Sequence, residues 1–277
     1  MCIRDSQKIR IMPSALLNVM VNAAKKASVK IRRDFNELEN LQVSVKGPGD
    51  FVTSADIRTQ KIIIDELTKA KPDWSFFAEE KQNSNANNSK NRFIIDPIDG
   101  TTNFLHGNPN FAISIAAEVE NKLEAGIIYS PVYDELFFAE RGKGAFFNDR
   151  RLRVAQRKKL SESIVVTGIP HLGRGNKDQF IKEMEEIIPE VSGIRRSGSA
   201  ALDLAWVAAG RYDAYWETGL SLWDIAAGII IIREAGGVVT GIDGSEKDLY
   251  NGNVIAGNDK IHENLLKKIK NIYLQDD

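Results

Sequence analysis

Two aspartates lie three positions apart in residues 96–102, whose sequence is Asp-Pro-Ile-Asp-Gly-Thr-Thr. The largely apolar residues 92–95 before them predict a buried strand that delivers Asp96 at its end. Pro97 prevents a helix from forming there, Asp99 with Gly100 favours a turn, and the following threonines suit a helix start. Two carboxylates are thus expected on a rigid turn, beside backbone N–H groups that suit a phosphate oxygen. Because hard cations prefer carboxylate and carbonyl oxygens, the segment indicates a Mg²⁺ site.

Other acidic residues strengthen this interpretation, because the segment on its own would be interpreted as a tight turn. Glu79 and Glu80 follow the predicted strand 75–78, and Asp224 begins the apolar helix predicted over 224–234. Carboxylates at the ends of buried elements repel one another unless a cation binds between them. The pattern therefore favours a metal site at which these element ends converge.

The spacing of the aspartates also bears on the type of phosphatase chemistry. Phosphatases that form an aspartyl-phosphate intermediate carry Asp-x-Asp, with Thr or Val two positions later. This chain has Asp-x-x-Asp-x-Thr instead, and the extra residue changes which groups face the metal. The only cysteine is Cys2, which also disfavours a cysteine nucleophile and excludes a disulfide within the chain. Water, and not Asp96, is the expected nucleophile.

The composition is close to the average for soluble globular proteins. The chain has 277 residues and a formal net charge of −1, which argues against a general binder of nucleic acid or anionic membranes. No transmembrane segment and no signal peptide are visible, so we expect a cytoplasmic protein. We interpret residues 1–11 as a non-native or disordered extension before Met12, and residues 12–277 as a single catalytic domain.

The elements that must position the acids follow from hydrophobic periodicity and from turn residues. Helices are expected after Ser14 and at Thr53 or Ser54. The first half, about 12–153, is rich in antiparallel strand patterns, whereas the second half, about 154–277, alternates strands and helices. The predicted fold class is a mixed α/β (α+β) protein. Strands are predicted near residues 75–78, 92–95, 113–119, 124–129, 135–140, 163–167, 211–217, 238–239 and 253–256, and later helices near 177–188, 199–209, 224–234 and 262–272.

Several short motifs, taken together, resemble the inositol monophosphatase family, in its bacterial form, within the lithium-sensitive sugar-phosphatase superfamily. Their order and spacing extend over nearly the whole chain and are far more specific than any one of them. The resemblance implies a layered αβαβα sandwich. The motifs are Asp50–Asp56, Glu79–Glu80, Asp96–Phe104, Gly142–Phe146, Arg196–Ala201 and Trp223–Asp224, followed by Gly228 and Glu234–Gly237.

The resemblance also implies roles for the matching positions. Glu79, Asp96 and the carbonyl of Ile98 would hold one Mg²⁺, whereas Asp96, Asp99 and Asp224 would hold a second. A third, weaker ion would share Glu79, which gives two to three ions per site. Thr101, paired with Asp56, would orient the attacking water, with Glu79 nearby. The substrate would contact Gly100, Thr101, Thr102, Gly198, Ser199, Ala200, Glu217 and Asp224, and Lys46 would lie on a mobile loop at the active site.

By this resemblance the chain is expected to be a Mg²⁺-dependent phosphatase of myo-inositol monophosphate or a similar small phosphorylated alcohol, and a homodimer. One alternative keeps the chemistry but changes the substrate to histidinol phosphate, fructose 1,6-bisphosphate or 3′-phosphoadenosine 5′-phosphate, because one scaffold serves several substrates. Another alternative is a regulator that binds the transcription machinery or RNA. The basic first helix, with Lys25 and Lys26, would be its binding surface.

Overall fold

The computed structural model describes residues 14–38, 43–47, 50–80, 89–171 and 175–274. The extension expected at residues 1–11 lies outside these ranges. The backbone of Lys46 belongs to a strand, but its side chain and the expected loop at residues 48–49 are outside the described part. None of the described helices combines the length and the hydrophobicity needed to cross a membrane.

The first half of the chain places two long helices before a run of antiparallel strands, as the sequence predicts. Ser14 caps the first helix by accepting a hydrogen bond from the N–H of Leu17, and Thr53 caps the second in a reciprocal pairing with Asp56. The elements are α1 Ala15–Asn36, β1 Val43–Gly47, β2 Asp50–Thr53, α2 Ser54–Ala70, β3 Ser75–Ala78, β4 Asn91–Asp99, α3 Thr101–Leu105, β5 Ala112–Val119, β6 Lys122–Ser130, β7 Glu135–Glu140, β8 Gly144–Phe147 and β9 Arg150–Arg151.

The second half alternates strands with helices, again as predicted. The strand expected from residue 211 begins only at Ala214, because Arg211 and Tyr212 bond through their N–H groups to the carbonyl of Trp206 at the preceding helix end. The elements are β10 Ile164–Thr167, α4 Lys177–Ile187, β11 Gly193–Arg195, α5 Ala200–Ala208, β12 Ala214–Glu217, α6 Leu222–Glu234, β13 Val238–Thr240, α7 Glu246–Tyr250, β14 Val254–Gly257 and α8 Asp259–Leu274.

The strands from β3 onward form two large sheets, between which two helices lie, whereas β1 and β2 form a separate antiparallel pair. One sheet has seven strands in the order β3-β4-β5-β6-β7-β8-β9, and the other has five in the order β11-β10-β12-β14-β13. Helices α1 and α2 cover the outer face of the first sheet, α5 and α6 fill the space between the sheets, and α4 and α8 cover the second. This arrangement is the layered αβαβα sandwich.

Alternating side chains of the strands divide the core into three layers. In β4, Phe93 and Ile95 face α1 and α2, whereas Ile94 faces the helices between the sheets. In the second sheet, Tyr215 points inward and Trp216 points outward. Helix α6 is apolar on all sides because it is enclosed by both sheets, and its buried residues, from Ile225 to Ile232, anchor the partly buried first turn.

Strand β4 continues further than its sequence predicts. The expected end was Asp96, since Pro97 cannot donate a backbone hydrogen bond. Pairing with β5 nevertheless resumes at Asp99, opposite Ala112, after an irregularity between Asp96 and Asp99. The irregularity accommodates the proline, and bulges of this kind re-aim side chains at the end of a strand. Both aspartates therefore remain attached to the sheet.

Candidate metal centre

Three carboxylates converge where β4 ends and α6 begins. Asp96, Asp99 and Asp224 each offer an oxygen atom, and these atoms lie within 4.8 Å of one another. More than a hundred positions separate the first two from the third, so tertiary structure alone brings them together. The convergence expected from the sequence is present.

Asp96 is the most deeply buried of the three, with 2% of its surface exposed. Its Oδ1 atom accepts a hydrogen bond from the N–H of Ile98 at 2.9 Å, which orients the carboxylate at the strand irregularity. Burial raises the pKa of Asp96 well above its ordinary value, and the charges of Glu79, Asp99 and Asp224 add to the effect. A bound cation would stabilise the charged carboxylate and so lower the pKa of Asp96 again.

Asp99 is held by the start of α5. Its Oδ2 atom accepts hydrogen bonds from the hydroxyl of Ser199 and, at 2.7 Å, from the N–H of Ala201. Burial raises the pKa of Asp99 to about 6, although these donors oppose the shift. The contacts fix one oxygen, so the orientation of this side chain depends on the other half of the molecule.

Asp224 lies in the first turn of α6. The N–H of Ser221 donates to its Oδ2 atom at 2.7 Å, in a reciprocal cap of the helix. Burial raises the pKa of Asp224 well above its ordinary value, and the next largest cause is the charge of Asp99. A helix cap therefore also aims the third carboxylate at the centre.

Glu79 adds a fourth acidic side chain at the end of β3. Its N–H donates to the carbonyl of Ile95 at 3.2 Å, which extends the pairing with β4, and its side chain lines the same cleft as the three aspartates. Its charge raises the pKa of each of the three. The backbone of Glu80, by contrast, is held by the side chain of Gln60 at 2.6 and 2.9 Å.

Thr101 and Asp56 meet beside this cluster. The Thr101 hydroxyl lies 3.1 Å from the carbonyl oxygen of Ile98 and 3.4 Å from Oδ1 of Asp56, and it can donate to either. The other carboxylate oxygen of Asp56 accepts from the N–H and hydroxyl of Thr53, at 2.8 and 2.5 Å. Burial raises the pKa of Asp56 to about 7, and the charges of Glu79 and Glu80 contribute.

The turn at Gly100 forms the floor of the cleft. Gly100 has a φ of +98°, and a Cβ there would contact backbone oxygens of Asn110 and Gly198 at 3.0 and 3.2 Å. Only glycine fits both constraints. The first residues of α3, Thr101 and Thr102, line the cleft together with Gly100, and the cleft has a volume of about 130 Å³. The first N–H groups of a helix have no partner within the helix.

The remaining wall comes from the second half of the chain. Gly198, Ser199, Ala200 and Glu217 line the cleft, as the resemblance implies. The hydroxyl of the fully buried Tyr215 donates to Oε2 of Glu217 at 2.5 Å and so fixes its position.

Other residues of the cleft were missed by the sequence analysis. They are Asn103, Gly168, Ile169, His171, Arg196, Asp203 and Leu220. Asn103 and Arg196 lie inside motifs of the family resemblance but have no expected role there, whereas the other residues belong to no local pattern that points to a ligand.

The donor set fits a hard divalent cation. The groups at the centre are carboxylates, Ile98 lines the same cleft, and the cluster of three aspartates contains no sulfur or imidazole ligand. The pKa of each of these acids is raised by burial and by the charges of the others, because no positive charge compensates them in the metal-free protein. A cation such as Mg²⁺ would compensate these charges.

Comparisons with known proteins agree with this geometry. A sequence model described as the inositol monophosphatase family matches residues 12–274. The chain is 57% identical over 257 residues to the inositol-1-monophosphatase of Mesorhizobium japonicum, covering 93% of this chain and 97% of that protein. It is 41% identical over 259 residues to the Nus factor SuhB of Pseudomonas aeruginosa, covering 92% and 96%. The crystal structure of the extragenic suppressor protein SuhB from Bartonella henselae superposes with a TM-score of 0.90 at 53% identity, covering 93% and 99%.

Proposed function

The chain belongs to the inositol monophosphatase family, and we propose that it is a Mg²⁺-dependent phosphatase that hydrolyses myo-inositol monophosphate or a similar sugar-alcohol phosphate. One observation carries the proposal: three carboxylates with oxygens within 4.8 Å of one another lie beside a glycine turn that leaves N–H groups at the same cleft. Acids alone could bind a cation for structural reasons. Acids beside anion-binding N–H groups favour phosphoryl transfer.

The metal would be held by the acids at the element ends. Glu79, Asp96 and the carbonyl of Ile98 would hold one Mg²⁺, and Asp96, Asp99 and Asp224 would hold a second, with a third, weaker ion sharing Glu79. Bound Mg²⁺ supplies Lewis acidity, which makes water a stronger nucleophile and stabilises negative charge on the phosphate and leaving oxygens.

Thr101 and Asp56 would position the attacking water. Since the Thr101 hydroxyl donates to Ile98 or Asp56, its lone pairs are available to accept a proton of the water. In the metal-free protein, burial raises the pKa of Asp56 to about 7, and a cation bound nearby would lower this pKa and favour the carboxylate form. Glu79 lies close enough to raise this pKa and would take part in the same arrangement.

The substrate would lie between the two halves. Backbone N–H groups of Gly100 and Thr101 would hold phosphate oxygens, while Thr102 and Asp224 line the adjacent cleft. Glu217, held by Tyr215, and the segment Gly198–Ala200 would contact the hydroxyl groups of the alcohol. Attack on phosphorus would be in line and direct, without a phosphoenzyme.

The choice of alcohol rests on similarity. A relative named inositol-1-monophosphatase is 57% identical, which favours myo-inositol monophosphate over histidinol phosphate, fructose 1,6-bisphosphate or 3′-phosphoadenosine 5′-phosphate. The experiment is phosphate release from all four compounds with Mg²⁺, and then with EDTA. We expect turnover that is highest for the inositol phosphate and is abolished by EDTA. Absence of Mg²⁺-dependent turnover with any of them would contradict the proposal. The proposal also includes a cytoplasmic location and a homodimer. Size-exclusion chromatography with light scattering would test the homodimer.

A second candidate, a regulatory binding role, is suggested by the 41% identity to a Nus factor. All five acids proposed for catalysis and metal binding are present in this chain, so such a role would accompany catalysis and not replace it. On α1, Lys26 already pairs with Glu66 at 2.7 Å, whereas Lys25 is exposed. Reversing the charge of Lys25 and measuring binding to RNA polymerase or RNA would test this candidate.

A further inference from the structure

We infer that Asp203 is a specificity residue of the cleft, whose carboxylate accepts a hydrogen bond from a hydroxyl group of the bound polyol next to Glu217. The inference rests on the proposed phosphatase function and deepens it. It assigns to the substrate a second acidic contact from α5, in addition to the contact expected at Glu217.

The burial of Asp203 requires an explanation. Only 2% of the residue is exposed, yet its side chain lines the cleft. A buried carboxylate is costly unless donors or a cation compensate it. The Ser197 hydroxyl donates to Oδ1 at 2.5 Å. Arg196, which lines the same cleft, lowers the pKa of Asp203 through its charge, but the two form no ion pair within the described residues. A carboxylate can accept several hydrogen bonds, so a single hydroxyl leaves room for donors from a ligand.

Glu217 and Asp203 line the same cleft. The charge of Glu217 raises the pKa of Asp203, after the larger effect of burial, and both charges raise the pKa of the buried Tyr215. Each carboxylate has one oxygen fixed by a protein hydroxyl, from Ser197 and from Tyr215 respectively. Such a pair of rigid acceptors suits an alcohol that presents two hydroxyl donors. An aryl or alkyl alcohol brings no hydroxyl donor to Asp203, so this wall disfavours it.

The charge of Asp99 also raises the pKa of Asp203. Asp203 and Glu217 line the same cleft as the acids of the candidate metal centre. A substrate that places its phosphate on the Gly100 turn would therefore reach Asp203 with the rest of its ring. The competing explanation is structural: Asp203 lies in the first turn of α5 and holds Ser197, close to the residue that holds Asp99. A purely structural role would affect every substrate equally.

The test compares two substrates in the full-length protein with Mg²⁺. Myo-inositol 1-phosphate offers hydroxyl donors, whereas phenyl phosphate offers none on its alcohol. The measured quantity is the ratio of kcat/KM for the inositol phosphate to kcat/KM for phenyl phosphate. In Asp203→Asn we expect this ratio to fall about tenfold, mostly through KM for the inositol phosphate, because a neutral acceptor binds hydroxyls more weakly than a carboxylate.

Asp213→Asn is the matched control. Asp213 is also buried, but it accepts from Arg157 Nε at 2.8 Å and from the N–H of Ile164 at 2.9 Å, and it does not line the cleft. We expect this variant to lose stability while the ratio stays unchanged. Should Asp203→Asn fail to fold, Ser197→Ala loosens the same carboxylate and should lower the ratio severalfold.

The outcomes separate the two proposals. A ratio that stays constant in Asp203→Asn, with equal losses on both substrates or none, overturns the specificity role. A wild-type protein that hydrolyses neither substrate with Mg²⁺ contradicts the phosphatase proposal itself. A selective loss on the inositol phosphate supports both.

Discussion

The hydroxyl of Ser199 donates a hydrogen bond to Oδ2 of Asp99, although 100 positions separate the two residues. The N–H of Ala201 donates to the same oxygen at 2.7 Å. These donors come from the start of α5 in the second half, whereas Asp99 ends β4 in the first. They lower the pKa of Asp99 against the effect of burial, which favours the charged form that a cation needs. The metal centre is therefore assembled across the junction of the two halves.

Replacement of Asp99 tests this centre most directly. Asp99→Asn keeps an oxygen that can accept from Ser199 and Ala201 but removes the negative charge. We expect kcat/KM for the inositol phosphate to fall by two orders of magnitude or more at saturating Mg²⁺, because the metal site loses a charged ligand. Without metal, the variant should melt at a higher temperature than wild type at pH 7.5, since one repelling charge is gone.

Steady-state kinetics and thermal denaturation in EDTA measure the two effects. Turnover of Asp99→Asn near the wild-type level would show that Asp99 is not a ligand of the metal. Asp213→Asn serves as the control, because it neutralises a buried aspartate outside the cleft and should leave turnover close to wild type.

Most of the fold could be predicted from the sequence because its signals are local. Ser14 and Thr53 each cap the helix that their position predicts, and the helix expected over residues 224–234 begins only two residues early. The acids at positions 79, 96, 99 and 224 were found because each stands at the end of an apolar element. Predicting their convergence needed either the repulsion argument or the family resemblance.

The parts that could not be predicted depend on distant contacts. Asp203 looks like an ordinary acid in the first turn of a helix, and only the tertiary structure shows that it lines the cleft beside Glu217. The extension of β4 past Pro97 likewise depends on its pairing with β5. Local propensity contains no information on either contact, because the partner residues lie elsewhere in the chain.

The pH dependence of stability should reveal the acidic cluster. Burial raises the pKa of Asp56 to about 7 and of Asp99 to about 6 in the folded protein, from an ordinary value of 3.8. Between pH 3.8 and about pH 7, the folded state binds more protons than the unfolded state. The free energy of unfolding must therefore fall as the pH rises through this range. For Asp56 alone, the loss between pH 5 and pH 8 is on the order of 2–3 kcal/mol.

The metal-free protein should therefore be less stable at pH 8 than at pH 5, and Mg²⁺ should stabilise it more at pH 8, where the acids are charged. Urea denaturation at both pH values, in EDTA and in excess Mg²⁺, measures this. Equal Mg²⁺ stabilisation at the two pH values would contradict a site formed by these acids.

Thr101 should matter through its hydroxyl and not through its bulk. Thr101→Val keeps the shape but removes the donor to Ile98 and Asp56, so we expect kcat to fall about 100-fold. Thr101→Ser keeps the hydroxyl and should stay within about tenfold of wild type. Steady-state kinetics of the two variants, with circular dichroism as a check of folding, decide the matter. Equal activity of Thr101→Val and Thr101→Ser would show that the hydroxyl takes no part in the reaction.

Gly168 should be important for substrate binding, because the side chain of Glu217 lies against it. A Cβ at this position would overlap the carboxylate of Glu217, which Tyr215 holds in place, whereas the φ of Gly168 is one that alanine can adopt. Gly168→Ala should therefore displace the carboxylate without disturbing the backbone, and we expect KM for the inositol phosphate to rise about tenfold. Gly193→Ala is the control, since its Cβ would meet only the flexible end of Arg195.

The double variant Gly168→Ala with Glu217→Gln distinguishes displacement of Glu217 from a general effect on the cleft. If Gly168 acts through Glu217, the two substitutions impair the same contact, and their effects on KM should be clearly less than additive. Independent effects would multiply, which would mean that the added methyl group impairs another part of the cleft. In that case the contact between Gly168 and Glu217 would not be what limits substrate binding.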